Sequence, residues 1–280
     1  MRDLRKIAFT FLLSIFYCQV VAQQVYYNGS VQFSSGKYYF SETSRSVYLN
    51  NGVSYSFPKL HLAADLSYVF QDSPWISYTS AGGIATGGPQ HGIVSQRIGK
   101  GGKGQGNTIS ISDTVSYTQS GFSDPNVSLR YEVFTSNNNH TILSITGAVK
   151  IPFTRPEIGF GTGEWDFSLG SSAMGWSGNW LWNASLAYWY FGDMDDLVLR
   201  NALSYGLGIG RSHFNQKIMV IYSISGMSKI IENTTPPLLT GIGLSYKTGM
   251  NTSLILNAGY GLSESSVDYT LSLGWTIHIN

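Results

Sequence analysis

The residues best able to act on a solute are Lys150, Glu164, Asp166 and Arg200, four charges in a chain of 280 residues of which only 12% are charged. Opposed charges set around one mouth of a pore would filter ions and polar solutes. The same four packed together would instead be an ion-pair network filling a narrow space. Trp189 and Phe191 make a second candidate: an entry patch for apolar solutes, or ordinary packing beneath an inward-folded loop. Catalysis has little to work with. Nucleophilic hydrolysis needs a His beside a Ser or an acid, and His61, His91, His140, His213 and His278 are scattered without an evident partner. Metal binding lacks a His pair at ligand spacing, and the one cysteine is Cys18. No catalytic, cofactor or metal site is expected.

Whether those side chains meet depends on the elements that carry them. Arg2, Arg5 and Lys6 precede an apolar run from Ile7 to Phe16, and Val20-Val21-Ala22 follows with small residues. That order reads as a signal peptide over 1–22, cleaved after Ala22; the apolar run is too short to span a bilayer as a helix. Cleavage removes Cys18, so the exported chain, 23–280, has no disulfide scaffold. Seventeen basic against sixteen acidic residues, without a basic cluster, argue against nucleic acid as a partner. With 42% apolar residues the chain is not disordered either.

Most of the rest repeats with a period of two. Leu60, Leu62, Ala64, Leu66, Tyr68 and Phe70 alternate with His61, Ala63, Asp65, Ser67, Val69 and Gln71. The beat returns through Trp180–Tyr190, Leu203–Ile209, Ile218–Ile224 and on to Val267–Ile279. The runs are about the 9–11 residues that cross a bilayer at a tilt, longer than the ~5–6 of soluble strands. A soluble barrel must clothe its exterior in charge, and here aromatics, at 14%, outnumber charges. Fixing each strand's outer face from its apolar residues sends Asp65, Asp124, Arg130, Glu132, Lys150, Glu164, Asp166, Arg200, Lys217, Lys247 and Asp268 to the inner parity, Arg45 being the exception. A lipid-facing Lys or Arg at the midplane costs about 2–4 kcal/mol, so this is the parity of a membrane barrel. Aromatics at both ends of the 180–190 and 269–275 runs suit the two interfacial girdles.

These features specify an all-β fold: a transmembrane, antiparallel, up-and-down β-barrel of outer-membrane type, with about twelve strands and fourteen as the alternative. Short links at Pro58-Lys59, 136–140, 175–179, 211–216 and 248–251 alternate with longer ones at 72–123, 152–163 and 226–237, placing turns and termini in the periplasm and long loops outside. Residues 72–123 are a Gly-rich extracellular or plug loop; a hairpin at Thr108–Tyr117 within it would supply the extra strands.

Two segments resemble the outer-membrane family described as "Putative MetA-pathway of phenol degradation". Gly121-Phe122-Ser123-Asp124 followed by Tyr131 is similar to that family's Gly-x-Gly-Asp start of a strand, with Ser123 in place of the second Gly. Lys150-Ile151-Pro152 leading to Gly159-Phe160-Gly161-Thr162-Gly163-Glu164-Trp165-Asp166 resembles its strand, Pro, Gly-rich loop and Gly-x-Trp-Asp signature. The resemblance implies a channel or transporter-like barrel associated with hydrophobic or aromatic compounds. The expectation is therefore passive uptake of small solutes across the outer membrane. The rival is a structural or adhesive barrel displaying a surface loop without transport. Expected partners are outer-membrane lipid and lipopolysaccharide, the outer-membrane assembly machinery and the solute.

Overall fold

The computed structural model of the protein describes residues 24–38, 43–72, 76–79, 82–85, 118–136, 138, 140–154, 160–193, 198–232 and 234–279. The expected signal peptide, most of the 72–123 connection and the Thr108–Tyr117 hairpin lie outside these residues. The strands are β1 (Gln24–Gly36), β2 (Ser44–Ser56), β3 (Leu60–Gln71), β4 (Ile76–Thr79), β5 (Gly82–Ala85), β6 (Gln119–Phe122), β7 (Asn126–Thr135), β8 (Thr141–Lys150), β9 (Asp166–Ser177), β10 (Trp180–Tyr190), β11 (Ala202–His213), β12 (Ile218–Met227), β13 (Leu238–Lys247), β14 (Thr252–Gly261) and β15 (Tyr269–Ile279). From β7 to β15 each strand pairs with the next, β15 pairs with β1, and the pairs β1–β2, β2–β3 and β3–β7 complete the circle. Twelve antiparallel strands, β1–β3 and β7–β15, thus close a barrel that leaves no strand edge facing lipid.

The wall strand formed by β6 and β7 is interrupted. β7 pairs with Leu60–Asp65 of β3, and β6 pairs with Tyr68–Gln71 of the same strand. Between them run Ser123, Asp124 and Pro125; Pro125 has no N–H to give to a ladder, and the break turns Asp124 into the barrel. β4 and β5 pair only with each other.

Register converts the period of two into two chemically distinct surfaces. Leu244 lies opposite Leu256, Leu256 opposite Leu273, Leu273 opposite Val31, and Val31 opposite Leu49, an unbroken apolar belt on the outside. One residue along, Gly243, Asn257, Ser272 and Gln32 line the inside of the same strands. Most large exposed hydrophobics lie on this outer face, Leu169 at 68% exposure among them. A contiguous apolar exterior of this extent is what a lipid surface covers. Trp180 and Trp182 mark its short-turn end and Tyr188 and Tyr190 its loop end.

Two glycines let the girdle close down on the wall. The Trp182 ring lies over Gly175 and the Trp275 ring over Gly29, each pair facing across neighbouring strands. A Cβ at either glycine would sit 2.4 Å from the indole. The links 57–59, 136–140, 178–179, 214–217 and 248–251 are short, and 37–43, 72–118, 151–165, 191–201, 228–237 and 262–268 are longer, so the barrel has a short-turn end and a loop end.

Candidate functional site

Both halves of the site lie at the loop end of the lumen. Lys150 ends β8 directly opposite Asp166, the first residue of β9. Its Nζ lies 3.1 Å from Asp166 Oδ2 and 3.4 Å from Asp124 Oδ2, and it donates to Thr162 Oγ1. Lys150 is 2% exposed and Asp166 0%. Asp124 Oδ1 accepts hydrogen bonds from Phe153 N (2.9 Å), Thr154 N (2.8 Å) and Thr154 Oγ1 (2.7 Å). Its Oδ2 makes no hydrogen bond and depends on the attraction of the Lys150 ammonium. Asp166 Oδ1 accepts from Gly192 N at 3.3 Å. One cation thus faces two carboxylates, and donors from two loops offset the surplus negative charge.

This anchor draws Phe160 to Thr162 of the 151–165 loop into the barrel. Phe160 is buried against Val69 and Tyr48 on the lumen wall, and its ring fits over Gly121, where a Cβ would meet it at 3.1 Å. Gly161 follows Phe160 at a point where a Cβ would stand 1.9 Å from Thr154 Oγ1 and 2.5 Å from Asp124 Oδ2, so no side chain fits there. Gly163 takes a φ of 73°, open to glycine at little cost. Among the residues that carry the family resemblance, Asp124, Lys150, Phe160, Gly161, Thr162, Gly163 and Asp166 thus form one structural unit. Gly159 lies outside the described residues.

The other two charges take a different course. Glu164 is exposed and lies over Gly192, whose missing side chain leaves room for it. Arg200 is 54% exposed and pairs with Glu232 at 2.8 Å, itself 60% exposed. Both residues precede the strands to which parity had assigned them. Arg200 N already donates to Ile230 O in the 228–237 loop, so its side chain ties two loops together instead of facing Lys150. The four expected charges are brought together as one pair, Lys150 and Asp166, joined by Asp124.

One strand further round the wall, on β10, the chemistry changes. Trp189 and Phe191 stack with centroids 6.1 Å apart and planes at 5°, and Trp189 Nε1 donates to Ser204 Oγ at 2.9 Å. Phe191 is buried with Leu199, Ala202, Met227, Ile230 and Ile231, where the 191–201 and 228–237 loops meet. Beneath lies a cavity of 660 Å³ bounded by Trp189, Met227 and Ile230 on one side and by Tyr38, Tyr48 and Asn50 on the other. A second cavity of 330 Å³ shares Ser225, Leu239 and Thr270 with it and continues past Met219 and Ile221. Among the described residues lining the two cavities, none is an Asp, Glu, Lys or Arg. Tyr38 is buried at a φ of 46° just beyond β1. Burial first, then the neighbouring Tyr48 and Asp268, raise its phenol well above the usual tyrosine range, so it stays neutral.

Sequence reasoning found no partner for His61, and the structure supplies two. His61 Nε2 lies 2.9 Å from Glu132 Oε1 and Nδ1 lies 3.0 Å from Ser56 Oγ. The array sits at the short-turn end, outside both cavities, and ties β2, β3 and β7 across their ends. Tyr38 and Phe160 were also missed as lumen residues, since both sit in loops where alternation is silent.

The sequence profile of the family described as "Putative MetA-pathway of phenol degradation" matches residues 75–278. No curated protein matches the chain. Among solved structures, an outer membrane channel from Pseudomonas putida F1 aligns with a TM-score of 0.61 at 14% identity, over 93% of this chain and 97% of that one. The NanC porin aligns with a TM-score of 0.54 at 8% identity, over 91% of this chain and 100% of that one. At such identities the likeness is one of fold.

Proposed function

Because the chain belongs to the MetA-pathway family of phenol degradation, we propose that it is an outer-membrane channel for passive passage of small uncharged solutes, hydrophobic and aromatic ones among them. The observation that carries this reading is the pair of adjoining lumen cavities with no charged residue among the described residues of their walls. An ion moved into such a space loses hydration without gaining a counter-charge, whereas a neutral solute loses little. In this reading residues 1–22 are the export signal, the short turns and both termini of the barrel face the periplasm, and the inward 151–165 loop narrows the pore from outside. Lys150, Asp124 and Asp166 then hold the constriction in place; Trp189 and Phe191 form the apolar side of the path. No chemical step on the solute is assigned to the protein.

The 151–165 wedge favours one rival, a barrel too full to conduct that serves a structural or adhesive role. Liposome swelling separates the two. Purified protein in vesicles should admit a small neutral sugar alcohol faster than an organic anion of similar size, with small single-channel currents in planar bilayers. Silence in both measurements overturns the channel and leaves the structural barrel.

A further inference from the structure

We infer that the 660 Å³ chamber is a saturable binding site for a small uncharged amphiphile, its ring against Trp189, Met227 and Ile230 and its hydroxylated end between Tyr38 and Tyr48. The inference rests on the channel reading only for how the molecule arrives. The volume falls within the ~300–1,000 Å³ of small-molecule sites.

The two walls decide the class of ligand. On one side the indole of Trp189 is fixed twice, by stacking on Phe191 and by its hydrogen bond to Ser204, so little ordering is left for a ring that packs on it. Met227, at the end of β12, and Ile230, in the loop that follows it, extend that apolar surface. Facing them, Tyr38 and Tyr48 bring phenols, and Ser34 Oγ donates to Tyr48 Oη at 3.5 Å. Asn50 and Ser225 add neutral polar groups to the lining. Burial holds the Tyr38 phenol protonated, so it remains a donor throughout the physiological range.

Each simpler ligand class fails against one wall. An ion meets no counter-charge among the described residues of the lining. A purely apolar molecule would strip water from the tyrosine, serine and asparagine groups without replacing their hydrogen bonds. A purely polar one would leave the Trp189–Met227–Ile230 surface with no apolar partner. A neutral molecule with a ring at one end and hydroxyls at the other satisfies both walls.

Phenyl β-glucoside has this form and is too polar to partition into detergent or lipid. Phenyl β-glucuronide differs from it by a carboxylate, and methyl β-glucoside lacks the aromatic ring. Calorimetric titration of the folded barrel in nanodiscs should show saturable binding of phenyl β-glucoside, with both other probes at least roughly tenfold weaker. Trp189→Ala should weaken it about tenfold or more, and Tyr38→Phe with Tyr48→Phe, which keeps the rings, by a similar factor. Heat-modifiable gel migration establishes that each variant is folded, and the double Phe variant serves if Trp189→Ala is not. Equal binding of glucoside and glucuronide overturns the site, as does binding indifferent to these substitutions. Flux of phenyl β-glucoside into liposomes reads the channel separately. Saturable binding without flux supports the site and overturns the channel; flux without saturable binding does the reverse.

Discussion

The two sides of the lumen at its loop end are filled by opposite means. Against β3, β6 and β8, a loop is drawn inward by Lys150, Asp124 and Asp166 and sealed by Phe160. From β10 round to β2, loops meet over the barrel through Phe191, Met227, Ile230 and Ile231, and a cavity is left beneath them. Charges and hydrogen bonds are directional, so very few placements of the 151–165 loop satisfy both carboxylates at once. Apolar contacts are non-directional and tolerate a solute in place of a neighbour. The barrel thus uses charge to fix a constriction and apolar packing to roof a space.

The sharpest way to break this contrast is Lys150→Met, which leaves two buried carboxylates without their cation. Loss of one partner in a buried pair costs about 3–5 kcal/mol. The expected result is release of the loop, read as a lower temperature for the heat-modifiable gel shift and a larger single-channel conductance. Phe191→Ala attacks the other side at a comparable cost, about 3–5 kcal/mol for a buried Phe. It should loosen the roof without changing the constriction, so neutral-solute flux changes while ionic conductance does not; equal effects of the two variants on conductance would erase the distinction. Gly161→Ala places a methyl against Thr154 and Asp124 and should cost about 1–3 kcal/mol of overpacking, raising conductance in the direction of Lys150→Met.

Tyr38 offers a pH test. Its folded-state pKa is raised, so the folded barrel keeps this proton to higher pH than the unfolded chain does. The associated stability is intact below about pH 10, the unfolded value, and declines as pH rises toward the folded one. Tyr38→Phe should flatten that decline in base-induced unfolding followed by tyrosinate absorbance. The smallest effect belongs to Arg200→Gln. Its exposed pair with Glu232 is worth no more than about 0.2–1 kcal/mol, and gel-shift temperature and conductance should stay near wild type. A large conductance change would return Arg200 to the solute path.

Much of this was legible in the chain because one-sided burial imposes parity on every strand. Lys150 and Asp166, both within strands, were readable as inward-facing, and Trp189 as an inward aromatic. Arg200 and Glu164 stand apart from the Lys150 cluster for a definite reason. Each lies one or two residues before a strand, where the backbone has left the ladder and alternation carries no information about direction. Phe160 and Tyr38, in loops, gave no signal of their own. The spacing of Gly161 and Gly163 indicated a tight inward turn but not the Thr154 and Asp124 atoms that exclude a side chain at Gly161.

What the amino-acid order determined by itself is the barrel: its strands, their lipid and lumen faces and the alternation of short and long links, because hydrocarbon rejects charge at every second position. Only the tertiary structure decided which groups meet. Trp275 finds Gly29 and Asp124 finds Lys150 through a cross-strand register and a loop path that short-range pattern does not encode. The division of the lumen into a sealed side and an open one follows from such distant contacts, since the 151–165 loop must reach β2 and β3 to set Phe160 against Tyr48 and Val69.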